Sequence, residues 1–259
     1  MIFLFFFACN PLCSTEQIER YLLYDFRYVR SEENISQGFD LDVVTSDEHE
    51  SIGCHHPDFI DPDGISGIDN NFAHIIEDLE ATEAEDIEYS FDEAVRDGIL
   101  LLILEVRNQE ECTELRLISG EGIPYLSAQG DPLDGQSFFL EEEQTPWMQS
   151  KYEYEQATIT EIDITLQSEI MSIPISIPLQ EGALRLSSDR TNGILGGALP
   201  LLDALILTSF DMVGMTEQLQ YRLASHLDLN PNEHGICQSI STNFSFSTIP
   251  AHLYTSEDQ

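Results

Sequence analysis

Asp61, Asp63 and Asp69 stand around Gly64 and Gly67 in the stretch FIDPDGISGIDNN, which runs from Phe59 to Asn71. Aspartates two apart point their carboxylates to one side of an extended turn, and a following glycine lets the chain turn sharply with positive φ. Loops of this kind gather oxygen around a hard cation, and Ca2+ takes about six to eight such oxygens. DPDG supplies Asp61, Asp63 and Gly64, and GIDN returns Asp69 and Asn70 after a short loop. A complete EF-hand loop is absent: the closing bidentate Glu is missing, and the first ligand position counted back from Gly64 falls on Phe59. A second Asp-x-Asp pair, Asp40 and Asp42 in GFDLD, offers further donors. The expected ion is Ca2+, in a structural role that stitches a loop to the base of the helix beginning near Phe72. The competing readings are solvated turns, which are built from the same residue types, and another ion.

Other reactive residues give weaker patterns. His49, Cys54, His55 and His56 are zinc-type ligands, but their spacing fits no strong zinc pattern and adjacent histidines point differently. HLDLNPNEHGIC holds Asp228 and Glu233, either a second acidic turn or a helix stop. No G-x-S-x-G elbow, H-E-x-x-H pair, Walker loop or G-x-G-x-x-G is present. Carboxylate pairs suited to acid–base work are everywhere, so none stands out. Trp147, near Tyr152 and Tyr154, reads as packing rather than as the wall of a sugar or peptide groove.

The 259 residues carry 48 acidic against 10 basic side chains, a formal net charge of −38. Such a surface repels phosphate, which excludes nucleic acid as a partner, and it repels anionic headgroups as well. The fold must tolerate the excess through divalent cations, through a screening salty medium, or through both. An apolar fraction of 42% is enough for a core.

Residues 1–8 are wholly apolar but far short of the roughly 20 residues a bilayer span takes. They read as the end of a signal-peptide h-region. Phe6-Phe7-Ala8-Cys9 resembles the bacterial lipobox, in which the cysteine is acylated and becomes the mature N-terminus. Phe6 stands where that pattern usually has Leu, and no Lys or Arg precedes the apolar run. An ordinary cleaved signal peptide and a buried first strand are the alternatives. With Cys9 lipidated, Cys13, Cys54, Cys112 and Cys237 remain, an even number that export permits to form disulfides in any of three connectivities.

The elements that must position these groups follow from periodicity. Residues 1–9 are the signal remnant with its lipobox cysteine, 10–30 a tether and entry segment, and 31–259 a single α+β domain with an acidic loop at 38–71. A helix follows Phe72, with Asn70 or Asn71 as its cap. SFDEAVRDG is a second short helix, capped by Ser90 and stopped by Gly98. ILLLILEVRN, ECTELRLISGEG and GQSFFL read as strands. Ile159, Ile162 and Ile164 alternate partially and Ile173, Ile175 and Ile177 cleanly; Pro174 and Pro178 on the other phase mark an edge strand. Asn192-Gly193 signals a hairpin, and strand gives way to helix near Pro200. MTEQLQYRLASHLDL is an amphipathic helix with Leu219, Leu223 and Leu227 on one stripe, and Ile240, Phe244 and Phe246 share one phase of a last strand. The fold class is α+β, a mainly antiparallel, sandwich-like sheet with several short helices.

GFDLD…DPDGISGIDNNFAHIIEDL followed by FDEAVRDGILLLILEV resembles a family of uncharacterised lipoproteins from myxobacteria and related deltaproteobacteria. In that family an Asp-rich element of the type G-x-D-L-D-G-D-G-x-x-D-N precedes a short helix and then DxAIxxGxIxLL. The match covers roughly Gly38 to Val106, with weaker similarity in DRTNGILGGAL and GICQSIS. The resemblance implies Asp40 and Asp42 as the first ligands, Asp63 and Gly64 as the next ligand and the turn, and Asp69 and Asn70 as the close of the loop. This chain departs from the family by inserting residues 43–62, which include Cys54; a disulfide, with Cys237 as candidate partner, would pin that insertion. The expectation is a non-enzymatic, Ca2+-stabilised lipoprotein of the cell envelope. It would be held at the outer membrane by its lipid, periplasmic or cell-surface, with a protein or glycan partner. The alternatives are an exported glycan hydrolase using a carboxylate pair and a lipid or lipoprotein carrier with IMSIPISIPL lining an apolar groove.

Overall fold

The structure is a computed structural model that describes residues 18–46, 54, 56–80, 85–109, 112–140, 145–153, 156–170, 173–209 and 216–254. Cys9, Cys13, His49, His55 and Tyr154 lie outside the described residues.

The elements in chain order are β1 (Ile18–Tyr28), β2 (Ser31–Glu32), β3 (Ile35–Ser36), β4 (Phe59–Ile60), β5 (Ser66–Ile68), α1 (Ala73–Glu80), α2 (Glu85–Arg96), β6 (Leu102–Gln109) and β7 (Cys112–Glu121). There follow β8 (Gln136–Leu140), β9 (Met148–Gln149), β10 (Lys151–Glu153), β11 (Gln156–Ile170), β12 (Ile173–Leu186), β13 (Asn192–Pro200), α3 (Leu201–Ser209), α4 (Thr216–Ala224) and β14 (Ser239–Tyr254). The protein is mainly β. One large, mostly antiparallel sheet has the order β1-β6-β7-β8-β14-β13-β12-β11-β10, with β9 added on β7, and a small sheet has the order β2-β3-β4-β5.

β14 organises the large sheet because it is long enough to serve three neighbours. It pairs antiparallel with β13 over Ser239–Ser247, antiparallel with β1 over Phe244–Pro250, and parallel with β8 over Ala251–Tyr254. The pairings β1–β6, β6–β7, β7–β8, β8–β14 and β14–β1 therefore close a ring. Leu22, Leu101, Ile103, Ile118, Phe138 and Ala251 form one apolar cluster on those strands. The opposite phase of the same strands, with Phe26, Leu104, Phe244 and Phe246, joins α1, α2 and the alternating isoleucines and leucines of β11 and β12 in the main core.

The stretch 10–30, expected as tether, contains β1, which lies between β6 and β14. The strand is covered on both faces, with consecutive Leu22 and Leu23 both fully buried, so it shows no clean period-two alternation. Ser90 does not cap α2. The helix starts at Glu85, and Ser90 lies inside it, accepting a hydrogen bond from the Ser168 hydroxyl at 3.1 Å. Gly98 does stop it, with φ of +76°. The β12–β13 hairpin is present, but Asn192 and Gly193 belong to β13; the turn is built by Asp189, which accepts from Thr191 N–H at 3.1 Å, and by Arg190 at positive φ. The uneven alternation of Ile159, Ile162 and Ile164 marks a shift in the β11–β12 register beside Glu161, whose φ is also positive. In β12, residues 173–179 pair with β11 alone, so Pro174 and Pro178 stand on an open edge.

Arginines neutralise acids inside this framework. Glu105 is fully buried between Arg20, at 2.6 Å, and Arg116. Arg107 and Arg116 lie over the Trp147 ring, at 3.8 and 4.5 Å from its centroid, so Trp147 is a packing residue.

Candidate metal centre

Asp69 follows β5 directly and precedes α1. Its backbone N–H donates to Phe39 O at 2.8 Å, an isolated bridge that brings the GFDLD segment alongside. Phe39 is buried, with Arg185 over its ring, and Arg185 donates to Gly38 O at 3.1 Å. A side chain at Gly38 would stand 2.7 Å from the amide nitrogen of Asn243 on β14, so glycine is required for this approach. Asn243 in turn donates to Asp69 O at 2.7 Å. The two halves of the acidic loop are thus clamped together on β14.

The result is a convergence of Asp40, Asp42 and Asp69, whose carboxylate oxygens come within 4.8 Å of one another. Among the described residues this is the group of metal-ligating side chains that meets so closely. Asp69 is buried, Asp42 half-buried and Asp40 exposed, so the cluster opens to solvent on one side. The Asp69 carboxylate accepts Leu41 N–H at 2.6 Å, and Asp42 accepts Val44 N–H at 2.9 Å. Gly67, at φ of +91°, lies against the group; a Cβ there would stand 3.1 Å from Thr45 Oγ1 and 3.4 Å from Asp40 Oδ2. The donor set is all oxygen, which fits a hard cation and not a soft one.

Two further aspartates belong to the neighbourhood. Asp58 accepts Ser46 N–H at 2.5 Å, and a hydrogen bond with Asp69 favours its ionised form. Asp228 is buried and accepts both the N–H and the hydroxyl of Ser241. Burial, reinforced by the charges of Asp228, Asp42 and Asp58, pushes Asp69 up to about 9. Burial likewise raises Asp228 to about 7 and Asp58 to about 6, and it raises Asp40 and Asp42. At neutral pH without a cation, a proton therefore sits on Asp69, where it can be shared with the Asp58 carboxylate. A divalent ion would displace that proton and relieve the same repulsion.

The other expected ligands lie elsewhere. Asp61 is buried in its own turn, accepting the N–H groups of Asp63 at 2.9 Å and Ile65 at 2.7 Å, and Asp63 is exposed. Both line a separate polar cleft of about 460 Å³ with Gln37 and Arg185. DPDG is thus a self-satisfied Asx turn, and the alternation that suggested ligands instead serves the backbone. The Asn70 side-chain NH2 donates to Val29 O at 2.9 Å and to the Ser36 hydroxyl at 2.7 Å, so the bonds that fix this side chain leave its carbonyl oxygen uncommitted. Asp58 escaped the sequence reading because it sits out of phase beside the DPDG turn. Asp228 lies 159 positions along the chain from Asp69, and no local pattern links the two.

Cys54 and Cys237 form a disulfide with Cα atoms 6.2 Å apart. It ties the inserted segment to the approach of β14, beside Asp228. His56 stacks on His226, and His226 lies tilted against His74, with centroids 5.8 and 5.7 Å apart, so His56 takes part in an aromatic column. A groove of about 770 Å³ lies between the β6–β7 hairpin and β11. Leu100, Leu117 and Ile162 line it; among the described side chains, those of residues 174–178 do not. No described helix is long and apolar enough to cross a membrane.

Fold and site together define a mainly β, disulfide-bonded protein with an acidic oxygen cluster able to hold a metal ion. No family model, curated protein or solved structure matches the chain.

Proposed function

We propose that this protein is a non-enzymatic, Ca2+-stabilised lipoprotein of the bacterial cell envelope, of the kind its Asp-rich element resembles, with a binding or structural role. The observation that carries the reading is the meeting of Asp40, Asp42 and Asp69 within 4.8 Å. Asp69 lies 27 residues beyond Asp42, and the fold brings it to the Asp40–Asp42 pair. Such a cluster lies in a chain of net charge −38, where each further acid raises the cost of the compact state. Ca2+ bound here would lock the 38–46 segment to the base of α1 and leave the surface available for a partner. The Cys54–Cys237 disulfide fits an oxidising compartment outside the cytoplasm. Cys9 in its lipobox-like setting supplies the membrane attachment.

The test is thermal melting with Ca2+ or with EDTA, alongside mass spectrometry of the mature N-terminus. EDTA should lower the melting temperature by several degrees, and Asp69→Asn or Asp42→Asn should remove that response. Asp63→Ala should keep it, because Asp63 stands outside the triad. Identical melting of all proteins in both conditions rejects the metal reading, and an unmodified Cys9 rejects the anchor.

A further inference from the structure

β11 is paired along one side and largely open along the other. The chain reaches β10 from β7, where Ser150 N–H donates to Thr113 O at 2.8 Å, so β10 covers only Gln156–Thr158 of β11. Beyond Thr158, among the described residues, β12 is the one strand that pairs with β11. The groove of about 770 Å³ lies on the side away from β12, no described residue of which lines it. Consecutive residues 161–165 all line it, from both faces of the strand, so the groove meets β11 at its edge. The prolines of β12 fix which backbone groups face that edge. Thr165 stands opposite Pro178, Gln167 opposite Ser176 and Glu169 opposite Pro174. Proline has no N–H to give, so it fits an antiparallel ladder at pairs whose backbone groups point away from each other. Thr165, Gln167 and Glu169 therefore turn N–H and C=O away from β12, toward the open edge, and Thr165 and Gln167 line the groove. Residues 159–170 contain no proline, so this edge can take a further strand.

We propose that β11 receives an extended peptide segment of a partner protein, with alternating basic and apolar side chains, as an added antiparallel strand in line with β10. This names a partner chemistry for the binding role given above; it rests on that reading for the role alone, and on neither the ion nor the lipid. Main-chain bonds to Thr165 and Gln167 hold the peptide. Its apolar side chains cover Leu117, Ile162 and Ile164, which line the groove. Residues directly opposite in a ladder share a face, so its basic side chains stand on the exposed face with Glu161 and Asp163. No described residue that lines the groove is Lys or Arg, and the net charge of −38 adds to the attraction. The same charges disfavour a second copy of this chain as occupant. β11 paired with itself brings Glu161, Asp163 and Glu169 against like charges.

The probe is a dye-labelled peptide, KVKVKVK, titrated with the full chain in about 0.15 M salt and read by fluorescence anisotropy. Binding should saturate at one peptide per chain, and EVEVEVE should bind at least about tenfold more weakly. Methylating the lysine backbone nitrogens should weaken binding at least about tenfold, because those N–H groups face Thr165 and Gln167; methylating the valine nitrogens should not. Thr165→Pro should weaken binding as much and keep the melting temperature, because the N–H it removes is not one that β12 uses. Gln167→Pro is a second variant of the same kind. If either variant melts lower, the methylated peptides on the unaltered chain decide. Equal binding by the unmethylated and both methylated peptides, or by the unaltered chain and both proline variants, overturns the proposal and leaves only attraction to surface charge. Self-association of the peptide-free chain that both proline variants abolish also overturns it, by making a second copy the occupant. So does palmitate that displaces the peptide and binds the proline variants unchanged, which makes the groove a lipid site. Peptide binding is read apart from the Ca2+-dependent melt, so failure of the edge and failure of the metal reading are distinguishable.

Discussion

Asp69 shows how far one carboxyl can be from its ordinary behaviour. It is held in place by its own backbone, by Asn243 and by Leu41 N–H, and it is surrounded by other acids. In the unfolded chain Asp69, Asp228 and Asp58 would titrate near 3.8; folded, they rise to about 9, 7 and 6. Between those limits the folded state holds more protons than the unfolded state, so stability falls as pH rises. The fall is steepest from about pH 4 to 6, where all three contribute, and Asp69 alone carries it from about 7 to 9. The metal-free protein should therefore melt at a higher temperature at pH 5 than at pH 8. Ca2+ needs the ionised carboxylates, so its stabilising effect should be larger at pH 8 than at pH 5. Scanning calorimetry with EDTA and with Ca2+ at the two pH values measures both trends; a metal-free protein that is more stable at pH 8 contradicts them.

At the scale of elements, the site depends on which segments the fold holds against β14. The Cys54–Cys237 link restrains the inserted residues that bring Asp58 to Asp69. Replacing both cysteines with serine should cost about 2–4 kcal/mol of stability and weaken Ca2+ binding, measured by denaturant melts at fixed Ca2+. Unchanged affinity would show that β4 and β5 alone fix the loop. Much of this layer is legible in the sequence, because it rests on local rules: the alternation of β12, the phase of Ile240, Phe244 and Phe246, and the Gly98 stop all survive folding. The misreadings arise where tertiary contacts override local ones. β1 is buried on both faces and so lacks a strand's alternation. DPDG satisfies its own backbone and therefore sends no ligand to the cluster. Asp40, Asp42 and Asp69 could be read as ligands because each sits in an Asp-x-Asp or Gly-containing turn. Asp58 and Asp228 carry no such signal and join the neighbourhood only through long-range packing.

Across the whole molecule, the few basic residues are drawn into the structure. Arg20, Arg27, Arg30, Arg107, Arg116 and Arg190 all pair with acids, which leaves the remaining negative charge largely uncompensated. A divalent cation held by Asp40, Asp42 and Asp69, as proposed, and screening salt over the surface would answer different parts of that repulsion. Monovalent salt lengthens no list of ligands, so it should stabilise without saturating at one ion per chain. Calorimetric titration of the mature protein with Ca2+ at pH 7, in two buffers of different ionisation enthalpy and in 0.15 M salt, separates the two directly. The account predicts one saturable site per chain, release of about one proton per ion as Asp69 ionises, and loss of the site in Asp69→Asn. Binding that is non-saturable, or that persists unchanged in Asp69→Asn, would contradict it.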